Sequence, residues 1–129
     1  MKLIHDFYQI EPAGGEEAAG EYTLALNKSH FIYRVHFQGN PVTPGVCIIL
    51  LCKELMELRF GKSFFLKSLS NVKFLSVIDP RVTDRIQVSF PKIVAVDDGY
   101  KCSALVYRQS ETFAKLSFYL QFAGNESPM

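Results

Sequence analysis

Between Pro44 and Phe60 the chain runs seventeen residues without an internal proline, opened by Thr43 as an N-cap and Pro44 at the first helical position, and closed by Gly61. The pattern predicts a helix over about 44–60. Its first half, Val46-Cys47-Ile48-Ile49-Leu50-Leu51-Cys52, is apolar on every face, whereas its second half carries Lys53, Glu54, Glu57 and Arg59. A helix of this kind has to enter the interior N-terminus first, and only a helix wrapped by other elements can bury all of its sides. The rest of the chain must therefore supply a wrapping.

That wrapping reads as β-structure. From Glu21, Tyr22, Leu24 and Leu26 alternate with Thr23, Ala25 and Asn27, the period of a half-buried strand over about 20–27. Behind Gly61 come extended runs rich in Phe, Val, Ile and Tyr: Phe64 to Ile78, Thr83 to Val96, Tyr100 to Arg108 and Thr112 to Phe122. Asp97-Asp98-Gly99 and Gln109-Ser110-Glu111 separate the last three with turn chemistry, so these should be antiparallel hairpin neighbours. One helix followed by a meander of long strands gives an α+β class, a curved antiparallel sheet around a central helix. We expect a single domain over 1–129, with residues 1–20 as an N-terminal segment and loop and 123–129 as a short tail.

Composition narrows the function classes. Fourteen Lys and Arg nearly balance thirteen Asp and Glu with no basic run, which argues against a nucleic-acid partner. The start Met1-Lys2-Leu3-Ile4-His5-Asp6 is too short in apolar residues for a signal peptide, and the longest uncharged apolar run, Val46 to Cys52, is too short for a membrane span. Cys47, Cys52 and Cys102 show no paired metal-ligand spacing, and two lie in the apolar helix half, so they read as inert core thiols in a reducing, cytoplasmic setting. His5 and His30 lack ligand-like neighbours and take surface or turn roles, leaving no metal site. Phe31, Phe37, Phe64 and Phe65 read as core, and the scattered Arg59, Lys62, Arg81 and Arg85 as solvated charges.

The chemistry sits at the helix entry. His36-Phe37-Gln38-Gly39-Asn40-Pro41-Val42-Thr43-Pro44-Gly45-Val46 packs two Pro and two Gly between a His and the start of the apolar helix. The helix N-terminus offers unpaired N–H groups and partial positive charge, suited to a thioester carbonyl that turns enolate-like when its α-proton is removed. A His beside it has the ordinary pKa of a base near neutrality.

This stretch resembles the His-Phe-x-Gly-x-Pro-x-x-Pro-Gly-Val motif of 3-hydroxyacyl-acyl-carrier-protein dehydratases (FabZ/FabA-like), matched at every fixed position. Asn27, Phe31 and the run Asn71-Val72-Lys73-Phe74 followed by Pro80 carry the likeness outward, over about Tyr22 to Phe122. The resemblance implies a hotdog fold and no cofactor. It also implies His36 as base, the Val42 carbonyl orienting its ring, the Gly45 N–H polarising the thioester, and Phe37 and Val46 among the substrate-binding residues. The family's second catalytic group, a Glu or Asp fourteen residues after the His, falls on Leu50, and the residue before the His, usually Gly, is Val35. Glu54 lies one turn beyond Leu50 and is a weak replacement, because each turn carries it about 5 Å from the His-bearing end. The plainer reading makes Glu54 and Glu57 solvated or paired helix carboxylates, with Lys53 facing Glu57 at i,i+4.

The resemblance thus leads to a dehydratase-like protein acting on or binding acyl thioesters, on acyl carrier protein or coenzyme A, in fatty-acid or polyketide-type lipid synthesis. A different class is a non-catalytic subunit that lends half a site to a partner with its own carboxylate, and Leu50 favours it. A hotdog thioesterase using Glu54, or a water activated by His36, ranks lowest. Because the family builds each site across a dimer interface, a homodimer is expected, with a heterodimer or a trimer of dimers as alternatives.

Overall fold

The computed structural model describes residues 2–11, 20–35, 39 and 41–124. Its elements are β1 (Tyr8–Ile10), β2 (Glu21–Leu26), α1 (Ile32–Val35), α2 (Gly45–Phe60), β3 (Phe64–Phe74), β4 (Arg85–Val96), β5 (Gly99–Arg108) and β6 (Glu111–Phe122). All six strands form one antiparallel sheet in the order β1-β2-β4-β5-β6-β3.

The expected α+β architecture is present, one long helix against one antiparallel sheet, and strand alternation sets which face the helix meets. On β6, Leu116, Phe118, Leu120 and Phe122 are buried while Lys115, Ser117, Tyr119 and Gln121 alternate with them. On β5, Cys102, Ala104 and Val106 are buried, and on β4, Ile86, Val88 and Phe90. These residues form one core with Cys47, Ile48, Leu51, Cys52, Leu55 and Met56 of α2. Burial pushes the thiols of Cys52 and Cys102 up to about 12 and raises that of Cys47, so these groups behave as core rather than as nucleophiles.

Two glycines fit where they stand for different reasons. Gly61 ends α2 in the left-handed region at φ 62°, its N–H donating to the Glu57 carbonyl, a conformation that costs a Cβ-bearing residue more. Gly99 opens β5 after the two-residue turn Asp97-Asp98, and a Cβ there would lie 1.8 Å from the Leu120 carbonyl oxygen.

Several details correct the sequence reading. The N-terminal piece is not a mere lead-in: Leu3, Phe7 and Tyr8 are fully buried and β1 joins the sheet edge beside β2. Residues 32–35 form a short helix, and β3 stops at Phe74 rather than Ile78, where backbone bonds of Leu75 and Ser76 to the Phe113 carbonyl take over from the ladder. The proposed aromatic core group does not assemble. Phe64 packs with Phe122 and Tyr100, Phe65 is exposed, Phe31 is exposed and stacked on His30, and Phe37 lies outside the described residues.

β3 differs from the other long strands. Its inner neighbour is β6, its other edge is unpaired among the described residues, and Phe65, Leu69 and Phe74 stand exposed along it. No helix among the described residues is long and apolar enough to cross a membrane.

Candidate active site at the N-terminus of the buried helix

The entry to α2 is fixed from both sides of the motif. Upstream, Tyr33 on α1 is buried, stacks on Phe7 with ring centroids 5.3 Å apart, and its hydroxyl lies 2.9 Å from the Thr43 hydroxyl. Burial pushes the Tyr33 phenol up to about 12, so it stays protonated as a hydrogen-bonding group. Downstream, the Thr43 N–H donates to the Ile78 carbonyl at 2.9 Å. Thr43 is therefore a brace rather than the expected N-cap; the cap position belongs to Pro44, extended at ψ 144°, with no side-chain capping bond.

His30 completes the upstream frame. It is buried rather than superficial, its Nδ1 accepts from the Ile32 N–H at the start of α1, and its Nε2 faces the Asp6 carboxylate at 3.1 Å. With Nδ1 accepting, Nε2 carries the proton and donates to Asp6. The two bonds tie the N-terminal segment to the turn that leads toward His36. His36 and Phe37 themselves lie outside the described residues.

At Gly45 the helix begins with the groups the sequence reading asked for. Gly45 and Val46 belong to the first turn, whose N–H groups have no intrahelical acceptor, and the first backbone bond into the turn is made by Cys47 to the Pro44 carbonyl at 3.0 Å. A Cβ on Gly45 would sit 2.7 Å from the Phe74 ring, so the last residue of β3 lies directly on the helix N-terminus. Val42 is half-buried and Val46 is 60% exposed. The apolar half of α2 is consequently not wrapped on every side: Ile49 and Leu50 are half-buried and Val46 is open, next to the unpaired β3 edge.

No carboxylate of α2 serves this end. Leu50 is a half-buried aliphatic residue packed on the core. Glu54 is 6% exposed and not solvated as expected: its two oxygens accept from the Leu3 N–H at 2.6 Å, the Ile4 N–H at 3.0 Å and the Tyr8 hydroxyl at 3.0 Å. Burial, and then the Glu54 charge, raise the Tyr8 phenol well above its ordinary value, which keeps it a donor. Glu54 lies nine positions beyond Gly45, roughly 13 Å along the axis. Glu57 pairs with Lys53 at 3.0 Å as expected and also accepts from the Phe64 N–H at 2.9 Å.

The sequence reading missed the Glu54 latch, although one signal existed: a single acid in a run of core positions needs donors. The donors here are two backbone N–H groups and the Tyr8 hydroxyl of a segment that carried no pattern, so nothing pointed to them.

With this geometry in place, residues 13–114 match the family described as ApeI-like, ApeI dehydratase. Among curated relatives the chain is 30% identical over 122 residues to the 3-hydroxyacyl-acyl-carrier-protein dehydratase FabZ of Ligilactobacillus salivarius, covering 81% of this chain and 84% of the relative. It is 27% identical over 128 residues to FabZ of Latilactobacillus sakei subsp. sakei, covering 94% and 89%. Among solved structures it is similar to the dehydratase heterocomplex ApeI:P from Xenorhabdus doucetiae, with TM-score 0.62, 17% identity and coverage of 94% of this chain and 99% of that one. A hypothetical thioesterase with coenzyme A from Streptococcus pneumoniae TIGR4 superposes with TM-score 0.60 at 14% identity, covering 96% and 94%. At such identities these structures speak for the fold alone, which is the hotdog fold.

Proposed function

The chain belongs to the ApeI-like dehydratase family, and from that premise we propose that it is one half of a dehydration site for acyl thioesters carried on acyl carrier protein. In this reading the thioester carbonyl lies on the Gly45 end of α2, where free N–H groups stabilise the developing enolate. His36, oriented by the Val42 carbonyl, removes the α-proton, and Phe37 and Val46 line the acyl path. The β-hydroxyl departs as water only when an acid supplies its proton. That acid comes from a partner subunit.

The observation that carries this reading is the state of α2: both carboxylates that α2 possesses are occupied elsewhere, and the position to which the motif resemblance assigns the family's carboxylate holds Leu50. The same occupancy of Glu54 argues against a thioesterase built on that residue. Two further features support completion by a partner. The helix N-terminus lies against Phe74 at the end of β3, and β3 offers a long, partly apolar edge, unpaired among the described residues, of the kind that proteins cover or pair. A dimer joined along β3 would set a partner beside Leu50 and Val46. Pairing with a carboxylate-bearing relative restores one complete site, from His36 and the partner's acid.

The experiment is hydration of a crotonyl thioester on acyl carrier protein by the chain alone, by Leu50→Glu, by His36→Ala, and by the chain mixed with a FabZ-type subunit whose own His is replaced. A general acid contributes on the order of 100- to 10,000-fold in rate. The isolated chain should be slow, Leu50→Glu should gain His36-dependent activity, and the mixture should be active where neither component is. Full activity of the isolated chain would overturn the half-site reading, and a mixture that forms dimers yet stays silent would remove the role given to His36.

A further inference from the structure

The face of the sheet turned away from α2 carries a second set of polar groups that the chemistry above does not use. Around the middle of β5 and β6 a depression of about 360 Å³ is lined by Ser68 on β3, Lys92 on β4, Lys101 and Ser103 on β5, and Ser117 and Tyr119 on β6. It forms where both flanking strands lose register: β3 shifts between Leu66 and Ser68 and again between Leu69 and Asn71, and β4 shifts between Ser89 and Lys92. Bulges of this kind re-aim side chains and break the flat face of a sheet. Small serines then leave a hollow where larger residues would fill it.

The charged groups of the lining are all of one sign, set in a surface that is otherwise mostly apolar. Lysine supplies only donors and serine hydroxyls are free to donate, while no carboxylate lines the depression. The nearby Asp98 is engaged by the Tyr119 hydroxyl, by Gln121 at 2.9 Å and by Lys67 at 3.7 Å. Lys101 sits over the Tyr119 ring, 5.4 Å from its centroid, a ring that Lys67 also meets at 4.9 Å. Among the described residues Ser68, Ser103 and Ser117 make no side-chain hydrogen bond, and Lys92 and Lys101 no ion pair. A second hollow of about 290 Å³ adjoins it through the shared Ser103 and Ser117 and adds Lys115 and Asn71.

We propose that this outer face is a binding site for a small phosphate-bearing molecule, its oxyanion held between Lys92 and Lys101 and the hydroxyls of Ser68, Ser103 and Ser117, with any organic arm lying toward Lys115. Multiple charge-assisted donors with no competing carboxylate are what a phosphate group requires. The site is independent of α2 and of a partner subunit's acid, so it stands or falls separately from the dehydration reading.

The test is titration of the isotopically labelled full chain with inorganic phosphate and pyrophosphate at constant ionic strength, with chloride as control, followed by amide NMR. Saturable shifts centred on Ser68, Lys92, Ser103 and Ser117 are expected, pyrophosphate binding more tightly. Replacing both Lys92 and Lys101 with Ala should weaken binding by about tenfold or more with the rest of the spectrum unchanged. Both lysines are exposed, and single Lys92→Gln and Lys101→Gln variants give the same reading at smaller amplitude if the double variant folds poorly. Non-saturating shifts matching chloride, or affinity unaltered in the lysine variants, would overturn the site. Shifts produced by an acidic carrier protein and not by either phosphate would also overturn it, assigning the face to a macromolecule instead.

Discussion

Each half of α2 departs at particular residues from what its composition suggests. The N-terminal half is almost wholly apolar, yet Val46 is open and Ile49 and Leu50 are only half-buried. The C-terminal half carries the charges, yet Glu54, Leu55 and Met56 are buried, with Glu54 closed over by the N-terminal segment. Composition describes what a helix surface is made of; which neighbour covers it depends on the rest of the assembly. Glu54 in the charged half finds its cover within the chain, whereas the exposed side of the apolar half lies beside the β3 edge that is unpaired among the described residues.

The largest effect should come from breaking the sealed half. Glu54→Ala strands two backbone N–H groups and the Tyr8 hydroxyl in a buried site and should cost about 3–4 kcal/mol, lowering Tm by roughly 10 °C. Glu54→Gln keeps one acceptor and should cost about 1–2 kcal/mol. If thermal unfolding of Glu54→Ala matched the wild type, the latch would be incidental and the contrast between the halves would fail.

At the open half the same size of change should act on assembly instead. Phe65 is 60% exposed on β3, so Phe65→Lys should leave the stability of the single chain within about 0.5 kcal/mol while weakening self-association about tenfold or more, measured by sedimentation. Unchanged association would move the interface off this edge. Gly45→Ala is milder still. The new methyl meets the far end of the Phe74 ring, which is half-exposed and free to swing, so about 0.5–1 kcal/mol is expected, with the ring displaced. A loss above about 2 kcal/mol would mean that this half is packed as tightly as the other.

How much of this was legible in the chain depends on whether the signal was local. α2 follows from its proline-free apolar run between Pro44 and Gly61, and the strands from extended apolar runs, alternation as on β2, β5 and β6, and turn residues such as Asp97-Asp98-Gly99. The helix entry was legible as a motif, with Leu50 readable as a departure from it. What stayed hidden depends on contacts distant in sequence: Leu3 and Ile4 meeting Glu54 some fifty residues away, the Tyr33–Thr43 brace, and His30 buried under Phe31 rather than at the surface. Short β1 and α1 escaped for a related reason, since three or four residues carry too little pattern to stand out.

The smallest effect belongs to a region that touches neither half of α2 and so serves as a control on both. Asp98, in the turn between β4 and β5, is held below the usual carboxylate range chiefly by the hydrogen bond from the Tyr119 hydroxyl, with Lys67 and Gln121 adding to it. A carboxyl whose folded pKa is depressed contributes stability that is present above its unfolded value, near 4, and is lost as the pH falls through the folded one. Asp98→Asn should therefore lower Tm slightly at neutral pH and by progressively less below about pH 4, the two curves converging in acid. Because Asp98 is partly exposed at a surface turn, where solvent screens its partners, the gap should be small. A gap that widened in acid would reverse the sign of the linkage and show that Asp98 is not stabilised in its ionised form by the Tyr119 hydrogen bond.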